Sequence, residues 1–346
     1  MELMKAMVLD GVKDLEKCGE PLRLAELPVP EPGEGEVLIK VKVCGVCHTE
    51  LDEIEGRTAP AFYPIVPGHQ AVGKIIKTGK GVDESELGKR VGVAWIFSAC
   101  GKCRFCREGR ENLCDDFKAT GRDAHGGYAE YMTASAKYVH LIPYAFSDAQ
   151  AAPLLCAGAI GYRSILISGL KNGENLGLTG FGASAHLVFK MVKARYPDSP
   201  VYVFTRSEKE RKFALQLGAD WAGGISDISP ERMHKIIDTT PAWEPMVQAL
   251  GNLEKGGKLV INAIRKEVKD RNSLLQLDYP QHLWLEKQIQ SVANVTANDV
   301  KEFLQLAAGA GIKPEYQEFS LEKANEALLE LKGGKIKGAK VLRISE

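Results

Sequence analysis

LGLTGFGASAH (176–186) sets an apolar run against a glycine turn and opens onto a helix-forming stretch. Gly180, Gly182 and Ala185 stand as G-x-G-x-x-A, a dinucleotide-binding pattern when it follows a strand and starts a helix. Gly180 permits the tight turn, Gly182 lets backbone approach a pyrophosphate, and Ala185 lets the helix pack closely on the strand. The helix N-terminus then offers amide donors to the anion. Without that context, the same glycines mark only a strand–turn–helix. Downstream the alternation continues: a helix from Ala183 to about Arg195, VYVFT (201–205), a helix from Glu208 to Leu217, KIIDT (235–239) and KLVINAI (258–264). This predicts an α/β domain over 157–293, built as a doubly wound parallel sheet.

The second strand of that domain ends in Thr205, Arg206 and Ser207. An acid here would accept the ribose 2′-hydroxyl of NAD. With no acid at these positions and an arginine able to pair with a 2′-phosphate, NADP(H) is the expected cofactor. NAD(H) remains possible if Arg206 is only a solvated surface charge.

Upstream, residues 1 to about 150 read as short β-branched strands broken by glycine and proline. VLIKVKVCGV (37–46) and AVGKIIKTG (71–79) are examples. PVPEPGEGE (28–36) and the stretch from Gly56 to Gly68 read as loops. The tail, 294–346, carries amphipathic helices near Asp299–Ala308 and Leu321–Leu331, then the strand AKVLRI. The tail strand is expected to return to the first part. The β domain would then comprise 1–156 and 294–346, with the nucleotide domain inserted.

Within that β domain Cys100, Cys103, Cys106 and Cys114 follow C-x2-C-x2-C-x7-C. Four thiolates so spaced suit one tetrahedral zinc, with bonds of about 2.3 Å. Iron–sulfur clusters also take four cysteines. A disulfide knot fits a small secreted scaffold better than a chain of this size. We expect a structural zinc in a lobe spanning about 95–116.

The whole chain sets limits. At 346 residues, two domains are the default. Lys plus Arg and Asp plus Glu both number 45, so charge points to no nucleic-acid or membrane partner. The N-terminus lacks the apolar core of a signal peptide. No uninterrupted apolar run approaches the roughly 18 residues of a membrane span. A cytoplasmic location is expected.

Three further stretches carry metal ligands: CGVCHTELDE (44–53), VPGHQAVG (66–73) and APLLCAGAI (152–160). Cys47, His69 and Cys156 would form a Cys₂His site with one open position, a ligand set known from alcohol dehydrogenase. GVCHT, GHQ, the four-cysteine lobe, HGGYAEY, PLLCAGAIGYRS, GFGASAH and GAKVLRI occur in order along nearly the whole chain. In that series the chain resembles the zinc-containing alcohol dehydrogenases of the medium-chain dehydrogenase/reductase superfamily. The resemblance implies a GroES-like β-barrel catalytic domain and a Rossmann domain, with the active site in the cleft between them.

It also implies roles. Cys47, directly before His-Thr, matches the metal ligand rather than Cys44. Thr49 matches the hydroxyl that relays the substrate proton, and His48 and Arg343 match residues near the cofactor pyrophosphate. Trp95 matches an aromatic wall of the substrate pocket, and Ile54 and Trp284 are further candidates for it. Two positions depart from the family pattern. Gln70 stands where a glutamate lies behind the zinc, as a neighbour or alternate ligand. Asp52 stands where a histidine often ends the proton relay, and its usual pKa of about 3.9 suits that task poorly.

The implied function is reversible hydride transfer between NADP(H) or NAD(H) and a primary or secondary alcohol or its carbonyl, with two zinc ions per subunit. The expected partner is a small alcohol or aldehyde, and the family's habit implies a homo-oligomer, dimer or tetramer. Cys156 argues against relatives acting on polyols or amino-alcohols, which commonly carry glutamate there. A non-catalytic cofactor-binding relative is the other alternative, opposed by the retention of Cys47, His69, Cys156 and Thr49.

Overall fold

Alternating burial starts at the N-terminus, where β1 (Leu3–Val8) and β2 (Arg23–Pro28) pair antiparallel with Ala6 opposite Ala25. The computed structural model describes residues 2–334 and 338–345. It divides into two units, 1–159 with 295–346, and 160–294.

The first unit is organised on β3 (Glu36–Val46), whose β-branched residues are buried along most of its length. α1 (His48–Ile54) follows it directly. β4 (Ala71–Thr78) pairs antiparallel with β3, and β5 (Arg90–Val93) extends the sheet. β6 (Ile96–Ser98) and β7 (Lys118–Ala119) form a small ribbon flanking the short α2 (Arg104–Arg107). β8 (Tyr131–Ser135) pairs with β3, and β9 (Val139–Leu141) closes on β5. Val37, Ile39, Val41, Ile65, Ile75, Val91 and Met132 fill the interior.

α3 (Asp148–Pro153) then runs through a π-helical turn, Leu154–Gly158, into α4 (Ala159–Ser168). The continuous stretch Asp148–Ser168 is long and apolar enough to cross a bilayer. Since 67% of its most apolar window is buried, it reads as a core helix.

The second unit follows as β10 (Leu176–Thr179), α5 (Ala183–Arg195), β11 (Val201–Phe204), α6 (Glu208–Gln216) and β12 (Trp221–Gly223). β13 (Met233–Asp238), α7 (Glu244–Gly251), β14 (Leu253–Ile261) and β15 (Gln288–Ser291) complete it. Every strand pair is parallel, in the order β12-β11-β10-β13-β14-β15. Strand order reverses between β10 and β13, where Rossmann sheets take their ligand at the carboxyl ends. There the Thr179 hydroxyl donates to the Asp238 carboxylate, which the buried Lys266 ammonium also meets.

The tail returns to the first unit. After α8 (Ala297–Gly309), β16 (Tyr316–Ser320) and α9 (Ala324–Lys332), β17 (Ala339–Arg343) pairs antiparallel with β3. The fold is thus α/β, a GroES-like β domain with a Rossmann domain inserted.

Candidate active site

Cys47 ends β3 in extended backbone and stands at the N-cap of α1. Its amide donates to Glu50 Oε2 at 2.7 Å, which ties the first turn to the strand end. The other oxygen, Glu50 Oε1, lies 2.6 Å from His69 Nδ1, with both side chains buried. This contact turns His69 Nε2 towards the thiols. Gly68 places His69: its φ of +100° favours glycine, and a Cβ there would lie 2.4 Å from the Tyr128 ring. Cys156 comes from the π-helical turn, a local widening often met at functional sites.

The three residues converge. Cys47 Sγ and Cys156 Sγ are 3.9 Å apart, and His69 Nε2 is 3.3 Å from Cys156 Sγ. A tetrahedral zinc with Zn–S bonds of about 2.3 Å holds two thiolates roughly 3.8 Å apart, so the donor set fits that ion. The electrostatics suit it as well. The hydrogen bond from Cys156 holds Cys47 well below the usual thiol range, and the same contact pushes Cys156 well above it. Burial is the largest single influence and opposes a His69 cation, but the Glu50 charge and the contacts with Glu50 and Cys47 together outweigh it and draw His69 well above its ordinary range.

Around this centre, Thr49 Oγ1 lies 3.5 Å from Cys47 Sγ. Trp95 meets His69 edge-on at 5.0 Å, and the Arg122 guanidinium sits 5.7 Å over the Trp95 ring. His48 is exposed at the start of α1. Gln70 is buried against Gly45 of β3 and accepts the Gly45 amide through its own carbonyl at 3.0 Å.

Two expectations, those for Asp52 and Ile54, need correction. Asp52 is bound by the Arg57 guanidinium at 2.6 Å, so its carboxylate is engaged as a structural anion and is not poised to end a proton relay. Ile54 is fully buried in the apolar core of the first unit, on a different side of α1 from Thr49, and walls no pocket. Arg343 spends its guanidinium on Glu318, with bonds of 3.1 and 2.7 Å. Trp284 stands 54% exposed against Tyr279, just before the edge strand β15.

Sequence reasoning also missed two acids on α1. Glu50 was detectable: metal-bound histidines nearly always give their second nitrogen to a carboxylate or carbonyl, and an acid three residues after a ligand is a natural source. Glu53 lies one turn further on, fully buried, with no hydrogen-bond partner for either oxygen among the described residues.

The four-cysteine lobe is similarly closed. All four sulfurs lie within 4.8 Å of one another, with Cys100 and Cys106 at 3.9 Å. Amides of Cys100, Cys103 and Cys106 approach sulfurs at 3.3–3.4 Å, the N–H···S support common to tetrathiolate metals. Amides of Lys102 and Cys103 draw Cys100 down to about 6, favouring the thiolate. Glu111 Oε1 accepts the Ala297 amide at 2.8 Å and so anchors the lobe to the start of α8.

In the second unit Gly180 takes φ +73°, and Gly182 caps α5 with nothing within 4 Å of where a Cβ would stand. That open space is what backbone approach to a pyrophosphate requires. Ala185 is fully buried under the helix. At the end of β11 the buried Thr205 donates to Glu210 Oε2 at 2.5 Å, and Ser207 caps α6. A carboxylate therefore does approach this corner, from a position the sequence reading did not consider. Arg206 is exposed.

Comparison with known proteins agrees with this geometry. Residues 33–144 match the alcohol dehydrogenase GroES-like domain. A probable alcohol dehydrogenase AdhA from Mycobacterium tuberculosis is 41% identical over 329 residues, covering 94% of this chain and 93% of that one. The chain belongs to the zinc-containing alcohol dehydrogenases. A second member of this dehydrogenase family, from Geobacillus stearothermophilus, is 32% identical over 99% of this chain and all of its own. Among solved structures, acetophenone reductase from Geotrichum candidum in complex with NAD superposes with a TM-score of 0.83. It is 26% identical, with 99% of this chain and 98% of that one covered. As an alcohol dehydrogenase, the protein is an oxidoreductase acting on CH–OH groups, with small alcohols or aldehydes as substrates.

Proposed function

We propose that this alcohol dehydrogenase works as a zinc-dependent aldehyde and ketone reductase favouring NADP(H), with Cys47, His69 and Cys156 holding the catalytic ion. The observation that carries this reading is the convergence of those three donors beside the Thr49 hydroxyl. When bound, zinc supplies Lewis acidity towards a carbonyl oxygen and acidifies an alcohol. Thr49 gives its proton to the substrate oxygen as hydride reaches carbon, and recovers it through neighbouring His48 and solvent. Glu50 holds His69 in the ligating tautomer. Trp95 shields the site on the His69 side.

Cofactor choice rests on β11. Arg206 has no acceptor among the described residues, which leaves its guanidinium for a 2′-phosphate. Glu210 beside Thr205 is the acceptor a 2′-hydroxyl would use, so NAD(H) is accommodated as well. Gly180, Gly182 and Ala185 would receive the pyrophosphate. The exposed edge β15, which carries Ile289 and follows Trp284 and Leu285, suits pairing with a second copy into a homo-oligomer. Eight free cysteines accord with a reducing, cytoplasmic setting.

The test is NADPH oxidation by the zinc-loaded protein against aliphatic and aromatic aldehydes, with NADH alongside. Turnover with NADPH well above NADH supports both parts. Turnover with NADH alone keeps the dehydrogenase and discards the cofactor preference.

A further inference from the structure

Two loops at the carboxyl ends of the Rossmann strands are laced together. The first, 239–243, follows β13, and the second, 262–270, follows β14. Lys266 is the centre of the lacing. Its ammonium donates to the Thr240 carbonyl at 2.9 Å, to the Ala242 carbonyl at 2.7 Å and to the Asp238 carboxylate. The side chain is 6% exposed. An ammonium has three donors, so none is left for a ligand. Around it the Glu267 amide donates to the Pro241 carbonyl at 2.8 Å, and Asp270 Oδ2 accepts the Trp243 and Glu244 amides at 2.7 and 2.9 Å.

A buried ion pair is a poor source of stability, because apolar side chains of similar volume often serve as well or better. Here the pair secures position. The other Asp238 oxygen accepts the Thr179 hydroxyl, next to Gly180, and the Thr240 amide and hydroxyl at 3.1 and 2.7 Å. The Thr239 hydroxyl donates to the Thr179 carbonyl at 2.8 Å. The near end of the 239–243 loop is thus pinned to the glycine turn by Asp238 and Thr239, while Lys266 holds its far end. A sheet of this strand order takes one mononucleotide on each half. With the glycine turn after β10 and the ribose corner after β11, the adenosine half falls to β10–β12. The nicotinamide half is left with β13–β15, and the two laced loops stand at its carboxyl ends.

We propose that Lys266 is a positioning residue for the nicotinamide half of the dinucleotide, fixing the loops after β13 and β14 against each other without touching the cofactor. This deepens the proposed function and rests on its placing of the adenosine half at β11. Without the ammonium, 262–270 drifts from 239–243, and the nicotinamide half loses its seat. The adenosine half keeps its own, because the glycine turn and the near end of 239–243 have separate anchors.

The experiment compares, by isothermal titration calorimetry, the binding of NADPH and of adenosine 2′,5′-bisphosphate, which carries the adenosine half alone. The proteins are the zinc-loaded wild type, Lys266→Met and the double variant Lys266→Met/Asp238→Asn, with zinc content and thermal melting as folding controls. The double variant is included because Lys266→Met alone leaves the Asp238 charge buried and unpaired. In both variants NADPH affinity is expected to fall about 10-fold or more, the scale of one or two hydrogen bonds, while the bisphosphate stays within about twofold of the wild type. Parallel losses for the two ligands would mean that Lys266 only holds the unit together, and would overturn the proposal. So would NADPH binding at the wild-type level. If Lys266→Met does not fold, the double variant is read in its place by the same criteria. A wild type that binds NADH and not NADPH discards the cofactor preference alone, and the same split is then expected between NADH and ADP. A wild type that binds neither dinucleotide defeats the cofactor site itself, and this proposal with it.

Discussion

Glu50 and His69 meet through a 2.6 Å contact inside a fully buried helix–strand junction, and the opposite oxygen of the same carboxylate receives the Cys47 amide. One side chain thereby orients two of the three ligands. Glu50→Gln keeps the shape but removes the charge that fixes the His69 tautomer. Catalytic zinc affinity is expected to fall about 10- to 100-fold, read by chelator competition, with a parallel loss of kcat/KM.

The tetrathiolate lobe is predicted to serve stability. Cys114→Ser should reduce the metal content by one of the two sites and lower the melting temperature by roughly 5–10 °C, corresponding to a loss of a few kcal/mol. Metal analysis alongside calorimetry checks it. Full zinc content in the variant would remove Cys114 from the ligand set.

At the ribose corner, Arg206→Glu should raise the KM for NADPH by about 10-fold or more, the scale of one charge-assisted hydrogen bond, with little effect on NADH. Glu210→Gln should weaken NADH in preference to NADPH. Steady-state KM values for both cofactors read the two effects. If Arg206→Glu left NADPH unaffected, the 2′-phosphate assignment would be wrong.

His140 predicts an acid-side loss of stability. It is buried on β9, and burial lowers its pKa from 6.5 to about 4. Between these values the unfolded chain binds a proton that the folded chain refuses, so stability falls as pH drops through that window. The full effect amounts to about 3 kcal/mol. Urea titrations from pH 7 to 4 should show a shallower decline in His140→Leu than in the wild type. Equal slopes would refute it.

Much of this molecule was legible in its sequence because its motifs are local. G-x-G-x-x-A needs only a strand before it and a helix after it, and the four cysteines span fifteen residues. Thr49 and Trp95 were expected from family pattern, and the structure sets them against Cys47 and His69. The errors share a cause, which is that side-chain direction around a helix or along an edge depends on tertiary partners. Ile54 and Glu53 are neighbours in sequence and both fully buried, yet one packs in the apolar core and the other is an acid without a hydrogen-bond partner among the described residues. Asp52 was assigned by position, but Arg57, five residues on, claimed it. Arg343 meets Glu318 on a strand that only β16–β17 pairing brings alongside. Glu210 reached Thr205 by helix geometry that spacing alone does not display.

Cys47 and Cys156 are separated by 109 positions, and an ion held by both would close that stretch into a ring that also contains the cysteine lobe. Such a ring is a reversible cross-link. It restricts the unfolded chain much as a disulfide does, by an entropy that grows slowly with loop length. Unlike a disulfide, it opens when zinc becomes scarce. The persistence of the folded enzyme is then coupled to metal supply through the same atoms that perform the chemistry, so starvation for zinc shortens the protein's lifetime as well as silencing it.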